Sequence, residues 1–337
     1  TRVKIEAVEK GLYGLSADAV AAVIGMDPAE ARRRVAEHEW RLTSQGQRCG
    51  WLPGVTHEAI YFYNPGYVDL YTDRNVFWLE PGRGIVSPPI ESSTPPGAAD
   101  AGDTFTECIR LEKGRWMAQA LIRTPDEDLW MWLYANPSLA PVDPVALASP
   151  SALPAPAAVT ARVLGASSAA HVPTLRMNGT VFSDGSLSFT GLAEKIWSGS
   201  LDPALLLDGT NQVQFSTTSG SVYLDWIDLA YPRRYEARDG RLVCLDGGHT
   251  SLTVRGFASA AVRVADVTDP LRPRWVTNLL AAADAGGFAV SWVPAGAGRR
   301  YAAAAEGQEC APWTVRPRPP SALRSVTNAA DYIVVTV

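Results

Sequence analysis

Chemistry in a polypeptide needs nucleophiles held against bases, or clustered metal-binding groups, so the few residues able to do either are the place to begin. The chain has four histidines, His38, His57, His171 and His249, scattered along 337 residues. None stands in a motif: Gly-x-Ser-x-Gly and His-Glu-x-x-His are absent, and His57-Glu58 lacks a second histidine. The sequence therefore assigns no catalytic residue and calls for no cofactor. Asp225 and Asp228 interrupt an otherwise apolar, strand-like run, Val222 to Tyr231. Hard cations want clustered carboxylates, which makes the pair a calcium candidate. The simpler account places each aspartate near a strand end, accepting hydrogen bonds from backbone or tyrosine.

Two further sets invite a functional reading. Cys49, Cys108, Cys244 and Cys310 lie far apart, without the Cys-x-x-Cys spacing of zinc or redox sites. They are either buried thiols or two disulfides. The expectation is two bridges, Cys49 to Cys108 and Cys244 to Cys310. In an extended chain Trp130, Trp132 and Tyr134 share one face. Such a row can be a sugar-stacking platform, but as a core face packed on a second sheet it needs no ligand, and the core is the expected role.

These residues must be positioned by strands. Charged residues are sparse, and 28 Gly, 25 Pro, 11 Trp and 11 Tyr favour compact β domains with tight turns. A net charge of -5 argues against a nucleic-acid surface. No apolar run is long enough to cross a membrane as a helix, and Thr1-Arg2-Val3-Lys4 reads as a strand rather than a leader.

The chain opens with weak alternation closing on Gly11-Leu12-Tyr13, read as a hairpin. Two short helices follow. Ser16 caps the first, with Leu15 and Val20 as a hydrophobic staple and Gly25 as its end; Asp27 caps the second, with Pro28 in the first turn and Glu30 completing a capping box. The run Arg32-Arg33-Arg34 reads as a solvated helix face. Strands are expected at 40–43, 60–63, 75–79, 104–111, 116–122 and 129–134, with a long loop over 81–103. Residues 136–158, rich in Pro, Ala and Ser, read as a linker. Beyond it, short strands joined by Asn178-Gly179, Asp184-Gly185 and Asp208-Gly209 turns give a sandwich pattern. Strict alternation over 222–231 puts Val222, Leu224 and Trp226 on one face and Tyr223, Ile227, Leu229 and Tyr231 on the other, with Pro232 closing the strand.

The expected fold class is mainly β, with two or three sandwich or jelly-roll-like domains in series. The divisions are a β domain with two helices (1–140), a linker (141–158), a jelly-roll-like sandwich (159–238), a second sandwich (239–318) and a connector with a final strand (319–337). The closing segment Asp331-Tyr332-Ile333-Val334-Val335-Thr336-Val337 reads as a strand buried on both faces, the first of an α/β domain lying elsewhere.

Several landmarks together resemble a known family. They are Gly11-Leu12-Tyr13, Tyr61-Phe62-Tyr63, Tyr71-Thr72-Asp73-Arg74-Asn75-Val76-Phe77-Trp78-Leu79, Asp128-Leu129-Trp130-Met131-Trp132, and His171 before Met177-Asn178-Gly179. Asp225-Trp226 with Tyr231-Pro232-Arg233-Arg234-Tyr235, Asp266-Val267-Thr268-Asp269-Pro270 and the tail Ala330 to Thr336 complete the set. This order resembles the non-catalytic β region that precedes the caspase-like domain of gingipain-like cysteine peptidases and related secretion-system sortases. The resemblance implies a secreted or surface-located bacterial protein whose β region acts as scaffold or pro-region for the peptidase domain that follows. That domain would be the partner, and the family's catalytic His and Cys would lie in it, with neither motif matched here. The alternative is a surface binding or structural module: a carbohydrate-binding sandwich or a self-assembling filament subunit.

Overall fold

The computed structural model describes residues 2–67, 72–93, 101–118, 128–153, 155–183 and 187–319. They are mainly β, with two α-helices. The closing segment 331–337 and the Asp184-Gly185 turn lie outside the described residues. The chain divides into two compact units that both draw on separated stretches. One holds 1–91, 263–277 and 302–337; the other holds 92–262 and 278–301. Domains in simple series, as the linkers suggested, are therefore not how the compact units divide.

In the first unit a five-stranded sheet runs in the order Thr314–Arg318, Arg2–Ala7, Asn75–Pro81, Trp40–Ser44, Gln47–Cys49. A second sheet joins Gly11–Ser16, Ala59–Asn64 and Leu52–Pro53. The first two strands of the chain thus belong to different sheets. Val3, Ile5 and Ala7 share a core with Tyr13 and Leu15, and that burial decides against the hairpin expected from sequence. Asn75, of the Tyr-Thr-Asp-x-Asn-Val motif, explains part of that motif physically. Its side chain donates to Asn64 Oδ1 at 3.1 Å and accepts from Ser44 Oγ at 2.8 Å, so it ties the two sheets together inside the core.

Both helices start as their caps require. Ser16 Oγ accepts from Ala19 N at 3.1 Å and Asp27 Oδ1 accepts from Ala29 N at 2.7 Å; Gly25, with φ of 68°, ends the first helix in the left-handed region. Glu30 does not turn back to complete a capping box. It pairs with Arg33 and Arg34, Arg33 also meets Glu37 and Glu39, and Arg32 meets Asp18 of the first helix, so each member of the arginine run has an acidic partner.

The second unit is built around a sandwich. One sheet orders Thr104–Glu112, Val222–Arg234, Ala157–Gly165 and Glu194–Leu201, with Leu133–Ala135 also paired to Val222–Arg234. The facing sheet orders Val142–Leu147, Gly209–Thr217, Pro173–Met177 and Thr180–Val181. Between them Trp132, Met177, Val213, Phe215, Leu224 and Ile227 form one continuous core. At Asn178-Gly179 both residues have positive φ, 50° and 83°, closing Met177 onto Thr180 as the two-residue turn demands. A further sheet of this unit joins Leu280–Asp284, Gly287–Trp292, Ser251–Phe257 and Ala101–Gly102.

Two sequence expectations are corrected. Within the 81–103 loop, the short pieces Ile90–Glu91 and Ala101–Gly102 each add to a sheet in parallel. The Pro/Ala stretch read as a linker contains the strand Val142–Leu147, whose alternate residues Asp143, Val145 and Leu147 are buried. Pro144 is tolerated because this strand lies at the edge of its sheet.

Asp143 holds that edge in place. It is buried, accepts from Trp132 Nε1 at 2.8 Å, and meets Lys113 and, at 2.7 Å, Arg115. Burial raises its carboxyl pKa, but the hydrogen bonds from Lys113, Trp132 and Arg115 outweigh that, leaving it below its ordinary value of 3.8. A depressed folded-state pKa contributes stability above the unfolded value, and the contribution is lost as pH falls through the folded one. Asp143→Asn should therefore cost about 2 kcal/mol at neutral pH, discounted for the half-exposed cations. The deficit against the parent should shrink as urea unfolding is repeated toward pH 2. An equal deficit at both ends of the range would remove the ionic account.

Candidate functional site

The longest strand, Val222–Arg234, carries an irregularity that gathers polar groups. Against Ala157–Gly165 its register runs Ala161 opposite Ile227, then Val163 opposite Leu224. Arg162 alone therefore faces both Asp225 and Trp226, which makes a β-bulge. The extra residue shifts the phase of alternation. Val222 and Leu224 before it, and Ile227, Leu229 and Tyr231 after it, all point into the same core. The two-faced pattern read from strict alternation is corrected accordingly. Pro232 does not end the strand either; it stands opposite Thr106 and the pairing continues to Arg234.

The other edge changes partner at the same level. Thr104–Glu112 pairs up to Glu112 opposite Trp226, and Leu133–Ala135 takes over from Leu133 opposite Leu224. Glu112 at the end of one partner strand, Asp128 just ahead of the next segment and Asp225 on the bulge converge. One carboxylate oxygen from each lies within 4.8 Å of the others.

Asp225 is 1% exposed. Its Oδ2 accepts from Arg162 Nη1 at 2.7 Å, while Oδ1 has no hydrogen-bond partner. Burial pushes the Asp225 carboxyl above its ordinary value in spite of Arg162. Desolvation, then repulsion from Asp225 and Asp128, raises Glu112 in the same direction. Arg162 is shared, donating from Nη2 to Glu194 at 2.9 Å. Asp228 is elsewhere in its chemistry: both of its oxygens are taken by Arg110, each at 2.8 Å, and Arg110 lies 4.3 Å from the Trp226 ring centre. The two aspartates singled out by sequence are thus separated. The partners Asp225 does have, Glu112 and Asp128, were not singled out. They are distant in sequence, and Asp126-Glu127-Asp128 read as an acidic turn was the one signal available.

The aromatic row divides in the same way. The strand partner changes at Trp132, between Trp130–Met131 and Leu133–Ala135, and Trp132 N already donates to Leu224 O at 2.9 Å. Trp132 is fully buried with its indole on Asp143, whereas Trp130 is 47% exposed. Tyr134 is half-buried between Trp116, at 5.6 Å, and Tyr223, at 5.1 Å. Trp116, 45% exposed, and Met117 pair with Met131 and Trp130, so a second aromatic surface comes from a segment the sequence marked as a strand but not as an aromatic surface.

Two of the histidines serve the backbone. His171 is fully buried with Nε2 at 3.1 Å from both Ser167 O and Gly191 O, and His249 Nε2 lies 2.8 Å from Thr104 O. His38 and His57 occupy left-handed backbone positions, with φ of 55° and 59°.

None of the four cysteines is in a disulfide, which corrects the expected bridges. Cys49 and Cys310 belong to the first unit and pack in its core, while Cys108 and Cys244 belong to the second. Each expected bridge would take one cysteine from each unit. Burial raises the Cys49 thiol pKa, so it is a poor nucleophile at neutral pH. Titrated with an aromatic disulfide, the folded protein should show one fast thiol, the exposed Cys108, and four after unfolding without reductant. Fewer than four in the unfolded, unreduced protein would restore a bridge.

The geometry defines a β-sandwich chain with a buried acidic knot, the neighbouring exposed tryptophans Trp116 and Trp130, and cysteines outside any disulfide. No family model matches the sequence, and no curated protein matches it. Among solved structures it is similar to dimeric latent PorU from Porphyromonas gingivalis, at 14% identity and a TM-score of 0.66, over 94% of this chain and 33% of that one. The chain therefore spans about a third of the length of that protein, and at this identity the likeness is one of fold. A xylotriose- and calcium-bound carbohydrate-binding module of type CBM36 matches at 13% identity and a TM-score of 0.24, over 36% of this chain and 98% of that one. A β-porphyranase from Bacteroides plebeius matches at 9% identity and 0.26, over 69% and 34%. Those two scores are too low to bear on fold or function. No helix among the described residues is long and apolar enough to cross a membrane.

Proposed function

We propose that this chain is the non-catalytic scaffold region of a gingipain-like, secretion-system protein of a bacterial surface or secreted location. In this reading it packs against a downstream caspase-like peptidase domain and positions or inhibits it. The observation that carries the reading is the fold likeness to PorU along almost the whole chain. The order of family landmarks from Gly11-Leu12-Tyr13 to Tyr231-Pro232-Arg233-Arg234-Tyr235 supports it independently. The chemistry of the described residues is compatible with a supporting role: His171 and His249 are spent on backbone carbonyls, and Asn75 and Asp143 on joining sheets. The test is to express the polypeptide encoded after Val337 by itself and titrate it with this chain. The expected result is tight association together with a change in its peptidase activity or folding yield. A downstream sequence without the caspase-like His and Cys, or a peptidase domain indifferent to this chain, would end the proposal.

A second reading, a glycan-binding surface module, is supported by the exposed Trp116 and Trp130 with Met117 beside them. Aromatic faces stack on sugar rings, and the neighbouring carboxylates could take hydroxyl hydrogen bonds. Retardation of the chain in polysaccharide-containing gels, lost in a Trp116→Ala/Trp130→Ala double variant, is the expected result. Equal migration of parent and variant in every gel removes this reading. Assembly into a filament is less well supported. The edge strand Thr104–Glu112 carries Glu107, Arg110 and Glu112, and the edge strand Glu194–Leu201 opens on Glu194 and Lys195, charges that discourage pairing with another chain.

A further inference from the structure

We propose that Glu112, Asp128 and Asp225 form a calcium site at the bulge of the Val222–Arg234 strand. Three carboxylates alone would not make one, since acidic groups gather on many surfaces. What distinguishes this group is Asp225. Its side chain is only 2% exposed, and one of its oxygens has no hydrogen-bond partner. A buried carboxylate oxygen left without a hydrogen bond costs free energy that folding would not leave uncompensated. The same residue contributes an oxygen within 4.8 Å of oxygens on Glu112 and Asp128.

Charge points the same way. Among the described residues, five carboxylates stand around the knot, Glu112, Asp128, Asp225, Glu194 and Asp228, against two guanidinium groups, Arg162 and Arg110. Five negative and two positive charges leave three negative. Arg110 gives two hydrogen bonds to Asp228, and Arg162 meets Asp225 and Glu194. Among the described residues no cationic side chain is hydrogen-bonded to Glu112 or Asp128, so a divalent ion would supply the missing charge.

Ligand type and tolerance of geometry select the ion. All three donors are hard oxygens, with no sulfur or imidazole to favour zinc. Calcium takes six to eight oxygen ligands in a flexible geometry, whereas magnesium demands a near-ideal octahedron. Three carboxylates drawn from three separate segments suit the more tolerant ion. Asp225 is fixed by the sheet, while Glu112 and Asp128 close over it from the two segments that meet there. Remaining coordination positions would be filled by water, as calcium commonly allows.

The experiment uses the full chain after treatment with chelator. Calcium up to about 10⁻³ M, the weak end for extracellular modules, should raise the melting temperature by about 5 °C, with magnesium much less effective. Terbium in place of calcium should show luminescence sensitised by tryptophan, since Trp130 and Trp226 lie next to the ligands in sequence or register. Glu112→Gln, at an exposed strand end, should fold with unchanged circular dichroism and lose both responses; Asp225→Asn should lose them too if it folds. The absence of any calcium shift or binding heat in the parent chain overturns the site, and so does a Glu112→Gln variant that responds like the parent. A response equal for magnesium and calcium overturns the assignment to calcium.

Discussion

The Arg162–Asp225 pair is the contact on which the second unit depends. Asp225 lies almost wholly out of solvent, and an ionised carboxylate there is tolerable only with a charged partner supplied by the adjacent strand. Arg162 can meet it because two residues of Val222–Arg234 share one position opposite. The extra residue then has a consequence along the whole strand. Without it, one-residue alternation would turn either Leu224 or Ile227 toward solvent, and the core containing both would lose a large apolar side chain. Bulge, ion pair and continuous core are thus one arrangement, and none of the three is available without the others.

The same irregularity organises the outside of the sheet. A strand of thirteen residues outlasts its neighbour Thr104–Glu112, and the chain re-enters as Leu133–Ala135 at the level of the bulge. Where one partner ends and another begins, a sheet offers side chains from three segments at one place. Here those are Glu112, Asp128 and Asp225, with Tyr134, Tyr223 and Trp116 packed close to the same strand ends. Chemistry concentrated at a change of partner is a property of the topology, since neither neighbour alone carries more than one of the acids.

How much of this could be read from the residues follows from which forces are local. Both helix caps, the Asn178-Gly179 turn and most strand cores of the sandwich were legible, because Ser16, Asp27 and paired turn residues act within a few positions of themselves. The partnership of strands was not. Arg2–Ala7 and Gly11–Ser16 look like a hairpin because they are adjacent, yet each pairs with a strand far along the chain. Val142–Leu147 was hidden by its prolines, since the burial of Asp143 depends on Trp132, Lys113 and Arg115, none of which a local window contains. The acidic knot was half legible: Asp225 stood out as a charge in an apolar run, while Asp228, which stood out equally, proved to be held by Arg110. A bulge leaves no mark in composition, so the phase shift that separates the two aspartates had no signal before the register was known.

Rigidity decides what such a knot can do. A catalytic carboxylate must exchange protons with a substrate and so needs access, whereas Asp225 is sealed beneath its neighbours and anchored to a guanidinium. A structural ligand has the opposite requirement, one immobile donor around which more exposed groups can close. Glu112 at a strand end and Asp128 ahead of a short strand have that more exposed character. The group is therefore better suited to fastening two segments against the sheet than to turning over a substrate. That in turn fits a chain whose polar residues with defined partners, from Asn75 to His171, are spent on holding strands together.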